Sequence, residues 1–340
     1  MKNKTDEKLE KLTTTIQQKL DGNPAILVGC GGSIPYGLPS MTDLATEITS
    51  KLDAQYRNDD GWKAFIAELA SSGNLEVALE KISLKEEILN SIIWTVWTLI
   101  DRKDREAING FLRKGTSPAL TSILKKSVQR AGATTIVTTN YDRIIECAID
   151  FCQGKIETCF SGNCIRRFDN SPGSSPRTVN LYKVHGSVDW FKHQTNHNII
   201  ATHYFDKVSL ETVYSPMIVA PGNEKYKETH RDPFRTVMAE ADKALRSASA
   251  YLCVGYGFND EHIQPIIINE NRDKNKPIVI VTKSVTPKMR ELFLQKDSYN
   301  CLIVSEGVTG GTLACYSNSE TETFAENLWC LDSFYKLWFE

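Results

Sequence analysis

The chain has 340 residues, of which 41% are hydrophobic, and its 40 lysines and arginines nearly balance 42 aspartates and glutamates. This composition is typical of a globular protein with a sizeable apolar core. A formal net charge of −2 argues against a nucleic-acid surface, which needs clustered Lys and Arg. No apolar run reaches membrane-spanning length, and the N-terminus lacks the apolar segment of a signal peptide. We therefore expect a cytoplasmic protein that contacts neither membrane nor nucleic acid directly.

The cysteine pattern argues against disulfides and against a zinc site. Nine cysteines, an odd number without a signal peptide, are typical of reduced thiols. No Cys-x-x-Cys pair occurs, and the pairs Cys147/Cys152 and Cys159/Cys164 match zinc spacing poorly. We therefore predict that the protein holds no structural metal.

In chain order, the first predicted element is a helix within residues 1–22, where Leu9, Leu12 and Ile16 follow helical spacing. A short all-apolar run follows at 25–28, which is typical of a strand buried on both faces of a parallel sheet. Similar runs occur at 135–137, 181–184, 217–219, 251–254, 278–281 and 301–304. Helical patterns separate several of them. This alternation predicts an α/β fold with a doubly wound, mostly parallel sheet.

The long interval between the first two strands predicts an insertion. Between about residues 50 and 130 the sequence has amphipathic helical patterns and no clear strand, so we expect an inserted helical lobe within a domain that spans 23–310. Residues 311–340 are predicted as a C-terminal tail. The large apolar residues of the lobe and tail are candidates either for an interface or for core packing. They are Ile92, Trp94, Val96, Trp97, Leu328, Trp329, Phe334, Leu337 and Trp338.

Glycine-rich or polar segments follow four of the predicted strands. They are Gly29-Cys30-Gly31-Gly32-Ser33, Thr138-Thr139-Asn140-Tyr141-Asp142, Val184-His185-Gly186-Ser187 and Gly255-Tyr256-Gly257-Phe258. Glycines allow backbone to approach a pyrophosphate, and a histidine at a strand end is a candidate general base. Each segment alone also fits a plain turn or helix cap. Because carboxyl ends of parallel strands meet at one sheet edge, the four together predict a single ligand site.

In this order, the four segments, with Gly37-Leu38-Pro39, resemble the sirtuin family. The resemblance is strongest to the branch found in prokaryotic anti-phage defence, whose members hydrolyse NAD. It implies a Rossmann-like, sirtuin-type sheet and NAD as the substrate. It also implies a homo-oligomer and, in one branch, a HerA-type ATPase partner.

The resemblance assigns roles to eight residues. Asn140 would hold the nicotinamide ribose or the attacking water, and His185 would be the base. Asp142 would bind the nicotinamide carboxamide. Gly29, Gly31 and Ser33 would contact the pyrophosphate and adjacent ribose, and Gly255 and Tyr256 would line the adenosine side.

Departures from the family pattern bear on which reaction to expect. Ser40-Met41-Thr42 stands where protein deacylases have an Asp-Phe-Arg run, and no cysteine occurs between His185 and Cys253, where deacylases carry a zinc ribbon. We therefore expect an NAD glycohydrolase without a zinc ribbon, which depletes NAD in anti-phage defence. The alternatives are an NAD-dependent protein deacylase or ADP-ribosyltransferase, and a non-catalytic subunit that senses NAD or ADP-ribose.

Overall fold

A computed structural model of the chain describes residues 4–129, 133–169, 178–219, 231–260, 262–295 and 299–340. None of the helices in these ranges is long and apolar enough to cross a membrane. The helices are α1 (Lys4–Lys19), α2 (Met41–Tyr56), α3 (Asp60–Ser72), α4 (Leu75–Lys81), α5 (Glu86–Lys114), α6 (Leu120–Ser127), α7 (Ile144–Phe151), α8 (Lys207–Leu210), α9 (Phe234–Ser247), α10 (Ile263–Lys274), α11 (Pro287–Met289) and α12 (Leu331–Phe339).

The strands form two sheets. They are β1 (Ala25–Val28), β2 (Thr134–Thr138), β3 (Lys155–Glu157), β4 (Phe160–Gly162), β5 (Arg166–Phe168), β6 (Thr178–Lys183), β7 (Gly186–His193), β8 (Ile199–Ala201), β9 (Tyr214–Ile218), β10 (Tyr251–Val254), β11 (Ile278–Thr282), β12 (Cys301–Glu306), β13 (Thr312–Cys315) and β14 (Thr321–Phe324). The main sheet has the order β14-β13-β12-β11-β10-β1-β2-β6-β3.

Seven strands of the main sheet, from β12 to β3 in that order, pair in parallel. The predicted doubly wound and mostly parallel α/β sheet is therefore confirmed. β1 lies in the middle of this order, with β2 on one side and β10 on the other. The connections from β1 and from β10 therefore run in opposite directions across the sheet, and a crevice opens beside the ends of these two strands.

Helices cover both faces of this sheet because its strands are apolar on both sides. Along β1, Ala25 and Leu27 face a core formed largely with α9 and α10, whereas Ile26 and Val28 face a core formed with α1, α6, α7 and α12. Alternate side chains of a strand point to opposite faces, so a run of four apolar residues requires cover on each side.

Helices α2 to α5 lie between β1 and β2 in the chain and share a separate core. Trp62, Phe65, Ile92 and Trp97 are buried there, and the cluster continues onto Tyr141 and onto β7 and β9. We call α2 to α5 the helical lobe. It packs against the second sheet and against the loop that follows β2.

The second sheet was not predicted. Its order is β4-β5-β8-β7-β9, and every pair in it is antiparallel. The prediction that the run 217–219 belongs to the parallel sheet is wrong, because Met217 and Ile218 lie in β9. Met217 packs into the core of the main sheet, whereas Ile218 packs into that of the lobe. A strand that lies between two cores needs apolar residues on both faces, as a strand within a parallel sheet does, so the sequence pattern does not distinguish them.

Residues after 310, for which the sequence suggested a tail, complete the main sheet. β13 and β14 add two antiparallel strands beside β12, and α12 contacts α1 and α6. Phe334 and Trp338 are buried in the same core as α1. In the lobe, Ile92 and Trp97 are likewise buried. The candidate interface residues of both segments therefore belong to the chain's own cores.

Candidate functional site

Four neighbouring strands of the main sheet end level with one another. The register aligns Val254 of β10, Val28 of β1, Thr138 of β2 and Lys183 of β6 in one row. Adjacent strands lie about 4.8 Å apart, so the segments that follow these residues share one short edge of the sheet. The predicted convergence of the four segments is observed.

The glycines at this edge allow two backbones to pack on each other. The amide of Gly31 donates to the carbonyl oxygen of Gly255 over 3.1 Å. Gly255 has φ +55°, and a Cβ built on it would lie 2.4 Å from the carbonyl carbon of Gly31 and from the amide nitrogen of Gly32. The loop after β1 therefore rests directly on the loop after β10.

We expect Gly255→Ala to destabilise the fold by about 2–5 kcal/mol, because the methyl group would add left-handed backbone strain and overlap with the loop after β1. Gly110→Ala is a matched control, since Gly110 lies within α5 and nothing lies within 4 Å of its built Cβ. That variant should be more stable by about 0.5–1 kcal/mol. Urea unfolding measures both, and equal stabilities would contradict the packing described for Gly255.

Three buried polar side chains, one from the loop after β1 and two from the loop after β2, form a hydrogen-bonded group. The amide nitrogen of Asn140 donates to the carbonyl oxygen of Gly29 and to Oγ of Ser33, each over 3.0 Å. Oγ of Ser33 donates in turn to Oδ1 of Asp142 over 3.1 Å. Both hydrogens of the Asn140 amide are thus used within the protein, so its carbonyl oxygen is the polar atom left to act on a ligand.

A buried charge network holds this loop from behind. The Lys183 ammonium donates to the carbonyl oxygens of Tyr141 and Asp142 and to Oε1 of Glu146. Arg143 donates through its backbone amide and its guanidinium to Asp104 of α5, over 2.6–2.8 Å. Asp104 is fully buried. The position of the loop after β2 is therefore coupled to the helical lobe through α5.

Asp142 is buried, and burial raises its pKa to about 6, although the Lys183 ammonium lowers that pKa. Its Oδ1 also accepts from the backbone amide of Ile144 over 3.1 Å. Near neutral pH the folded protein therefore carries a buried carboxylate, which costs stability and is available to accept hydrogen bonds from a ligand.

We expect Asp142→Asn to raise the free energy of unfolding at neutral pH by on the order of 1–3 kcal/mol. An amide keeps an acceptor oxygen for Ser33 and Ile144 but is never charged. Between the ordinary aspartate pKa near 3.9 and the folded value of about 6, the folded state holds its proton more tightly than the unfolded state does. The contribution of Asp142 to the wild-type free energy of unfolding therefore falls as pH rises through that interval. The difference in free energy of unfolding between Asp142→Asn and wild type should grow over the same interval.

Denaturant unfolding at several pH values measures this difference. Asp273→Asn is the matched control, because Asp273 is exposed on α10. A stability difference for Asp142→Asn that did not change with pH would contradict the raised pKa.

His185 lies between β6 and β7, where the chain passes from the main sheet to the second. Gly186 has φ +90°, and a Cβ there would lie 2.1 Å from the carbonyl oxygen of Met217. Nε2 of the buried His185 lies 2.8 Å from Oδ2 of Asp260, in the loop after β10. The turn at Gly186 therefore places the imidazole at the sheet edge, beside a carboxylate from the neighbouring segment.

These segments enclose one cavity of about 170 Å³. Six of the eight predicted site residues line it, while Gly31 and Gly255 lie behind it in their mutual backbone contact. The six are Gly29, Ser33, Asn140, Asp142, His185 and Tyr256.

Sequence reasoning missed the contribution of the helical lobe to this cavity. Met41 and Leu44 of α2, Glu76 of α4 and Ile100 of α5 line it opposite the sheet edge. These residues belong to ordinary amphipathic helix patterns, which carry no local signal of a site. Asp260 also lines the cavity; its pattern indicates only a helix cap.

Two further observations concern ligands. The hydroxyl of Tyr256 is buried and has no hydrogen-bond partner within the described part of the chain. Across that same part, no group of three or more His, Cys, Asp or Glu side chains is arranged to hold a metal ion. All nine cysteines lie in described segments and are free thiols.

The architecture is a doubly wound, mostly parallel α/β sheet with an inserted helical lobe. Residues 134–302 match the family model of the SIR2-like domain. That segment, just under half of the chain, is similar to the SIR2-like domain. The match includes the site segments after β2, β6 and β10, and it begins after the glycine loop that follows β1.

Several solved structures are similar to this chain. A Sir2 homologue in complex with NAD has 14% identity and a TM-score of 0.47, covering 86% of this chain and 87% of its own. A Sir2 variant with deacetylated p53 peptide and 3′-O-acetyl ADP ribose has 13% identity and a TM-score of 0.46, covering 97% and 96%. Comparison with curated protein sequences gives no match.

Proposed function

We propose that this protein is an NAD glycohydrolase, which converts NAD and water to nicotinamide and ADP-ribose. One observation carries the proposal: Asn140, Asp142 and His185 converge from adjacent strand ends on one cavity, within a SIR2-like domain. Buried polar side chains gathered at a switch point of a parallel sheet are suited to binding and acting on a ligand.

The residues fit a nucleotide with a nicotinamide ribose at the Asn140 end. The carboxylate of Asp142 can accept hydrogen bonds from the carboxamide of nicotinamide. The buried hydroxyl of Tyr256 would gain the partner that it lacks among the described residues. Gly29 and Ser33 would face the ribose and pyrophosphate, whereas Gly31 and Gly255 would act through their backbone packing.

Cleavage of the nicotinamide–ribose bond develops positive charge on the ribose, as in glycoside hydrolysis. Nicotinamide leaves from NAD as a neutral molecule, so departure needs no strong acid. The carbonyl oxygen of Asn140 can orient the attacking water or a ribose hydroxyl, and His185 can remove the proton as the new C–O bond forms. The proton then passes from His185 to solvent, and the products are nicotinamide and ADP-ribose.

Hydrolysis is favoured over deacylation by two features of the sequence. Ser40-Met41-Thr42 stands where protein deacylases have Asp-Phe-Arg, and the stretch from 186 to 252 contains no cysteine for a zinc ribbon. The alternatives are a protein deacylase or ADP-ribosyltransferase on the same fold, and a subunit that binds NAD or ADP-ribose without turnover.

Product analysis separates these functions. The purified chain is incubated with NAD, alone and with an acetyl-lysine peptide or with a pyridine base. We expect free ADP-ribose in each case once the chain is assembled with itself or with the ATPase. Peptide-dependent formation of O-acetyl ADP ribose would establish the deacylase, and modified protein would establish the transferase. Binding of intact NAD without products, even by the assembled chain, would establish the sensor.

We further propose that the activity serves anti-phage defence by depleting NAD and is latent until the chain assembles with itself or with a HerA-type ATPase. The resemblance supports this, since uncontrolled hydrolysis would consume the NAD of the host. The cavity of about 170 Å³ is smaller than typical small-molecule pockets of roughly 300–1,000 Å³. Opening it for a dinucleotide requires movement of the helical lobe, which assembly could favour.

Turnover measured across protein concentrations and size-resolved fractions, with and without the ATPase, tests this latency. Activity should rise with assembly. A fully active monomer would contradict it.

A further inference from the structure

The His185 imidazole has a carboxylate partner supplied by a different strand end. Nε2 of His185 and Oδ2 of Asp260 are 2.8 Å apart, and the two side chains are only 7% and 6% exposed. His185 follows β6, and Asp260 follows β10, so the contact forms only when the sheet is assembled. Both residues line the same cavity.

The Asp260 carboxylate is itself held in place by backbone. Its Oδ1 accepts hydrogen bonds from the amides of His262 and Ile263, over 3.0 and 2.8 Å, at the start of α10. Amide groups at a helix N-terminus favour a negative charge. One oxygen of the carboxylate is therefore fixed by the helix, and the other lies 2.8 Å from Nε2, although the imidazole is not turned so that its N–H forms a hydrogen bond with that oxygen.

We propose that Asp260 is a positioning residue that fixes the orientation and the tautomer of His185; this proposal rests on the glycohydrolase function proposed above. A carboxylate accepts hydrogen bonds, so the nitrogen that faces it must carry hydrogen. With Nε2 protonated toward Asp260, the lone pair of the neutral ring lies on Nδ1. Nδ1 is then the atom that accepts the proton.

The proton step balances without any further reactant. The attacking water loses a proton to Nδ1 while its oxygen bonds to C1′ of the ribose, and the bond from C1′ to the nicotinamide nitrogen breaks with its electron pair leaving on nicotinamide. His185 becomes an imidazolium with hydrogen on both ring nitrogens. The Asp260 carboxylate stays ionised and stabilises the positive charge of the ring. The imidazolium then releases the proton to solvent. Asp260 touches neither substrate nor water in this scheme.

Asp260→Asn is the most informative variant. Asparagine can still accept the two amide hydrogen bonds at the start of α10, so the fold should be retained. Its amide group can donate to Nε2, which favours the opposite tautomer. We expect kcat for NAD cleavage to fall roughly 10²–10⁴-fold, with KM and the Kd for ADP-ribose changed less than threefold. Asp260→Glu should recover part of the loss.

Nitrogen NMR of the His185 ring gives a readout independent of activity. The neutral wild-type ring should carry hydrogen on Nε2, and Asp260→Asn should shift hydrogen toward Nδ1. His185→Gln assigns the signals. Asp273→Asn, an exposed change on the helix that follows Asp260, should alter neither kcat nor the tautomer.

The outcomes separate the two proposals. A wild-type protein that is inactive even when assembled with itself or with the ATPase, but carries the Nε2 tautomer, would refute the glycohydrolase and retain the positioning by Asp260. An active wild-type protein whose Asp260→Asn variant keeps its kcat, or a wild-type ring with hydrogen on Nδ1, would overturn the role of Asp260.

Discussion

Replacing His185 by alanine is expected to lower the turnover of NAD roughly 10²–10⁴-fold, which is the usual cost of losing a positioned general base. The imidazole is buried at the sheet edge, lines the cavity and lies 2.8 Å from a fixed carboxylate. Removing it deletes the group best placed to accept the proton. Initial rates of nicotinamide release at saturating NAD measure the effect.

The loss must be separated from unfolding, because His185→Ala leaves Asp260 buried without its imidazole. His185→Gln keeps most of the side-chain volume and should be nearly as inactive, with a thermal midpoint closer to wild type. His193→Ala is the control, since His193 lies at the opposite end of β7. If folded His185→Ala kept most of the wild-type rate, another residue would have to be the base.

Asn140→Ala is expected to lower turnover by about 10²-fold or more, the order of effect produced by misplacing a reacting group. The variant loses the carbonyl oxygen proposed to orient water or ribose. It also loses the bonds to Gly29 and Ser33 that join the loops after β1 and β2. Single-turnover cleavage of bound NAD separates the rate of chemistry from binding.

Asn198→Ala, on an exposed turn, is the control for Asn140→Ala and should behave as wild type. NAD should still bind Asn140→Ala, because its predicted contacts through Asp142 and the glycine loop remain. Wild-type single-turnover rates in folded Asn140→Ala would exclude Asn140 from the chemistry.

The main sheet could be predicted because its strands are short apolar runs that need cover on both faces. The second sheet could not be predicted, since β4 and β5 have three residues each and show no clear alternation. β5 joins the rest of the sheet by pairing with distant β8, which local sequence does not encode.

The last thirty residues illustrate a different limit. Their apolar side chains are compatible with an interface or with a core, and sequence alone does not decide between them. Trp338 and Phe334 pack on the helix that begins the chain, so the two ends of the sequence close the same core. Only the assembled sheet brings those ends together.

The site was predictable where it follows strands and not where it depends on the lobe. Asn140, Asp142 and His185 share one cavity as the strand ends imply, and their roles stay predictions. The glycines were predicted to admit a pyrophosphate, whereas Gly31 and Gly255 first serve to pack two loops. Glu76 and Ile100 reach the cavity from helices whose patterns indicate only packing.

The central claim is that this site breaks the nicotinamide–ribose bond of NAD with water. The most direct measurement is the amount of nicotinamide and ADP-ribose formed from NAD over time by wild-type protein, beside Asn140→Ala, across a range of protein concentrations with and without the ATPase. Our account predicts equal amounts of both products from wild type and little of either from the variant. Intact NAD under every condition, or equal rates from both proteins, would contradict it.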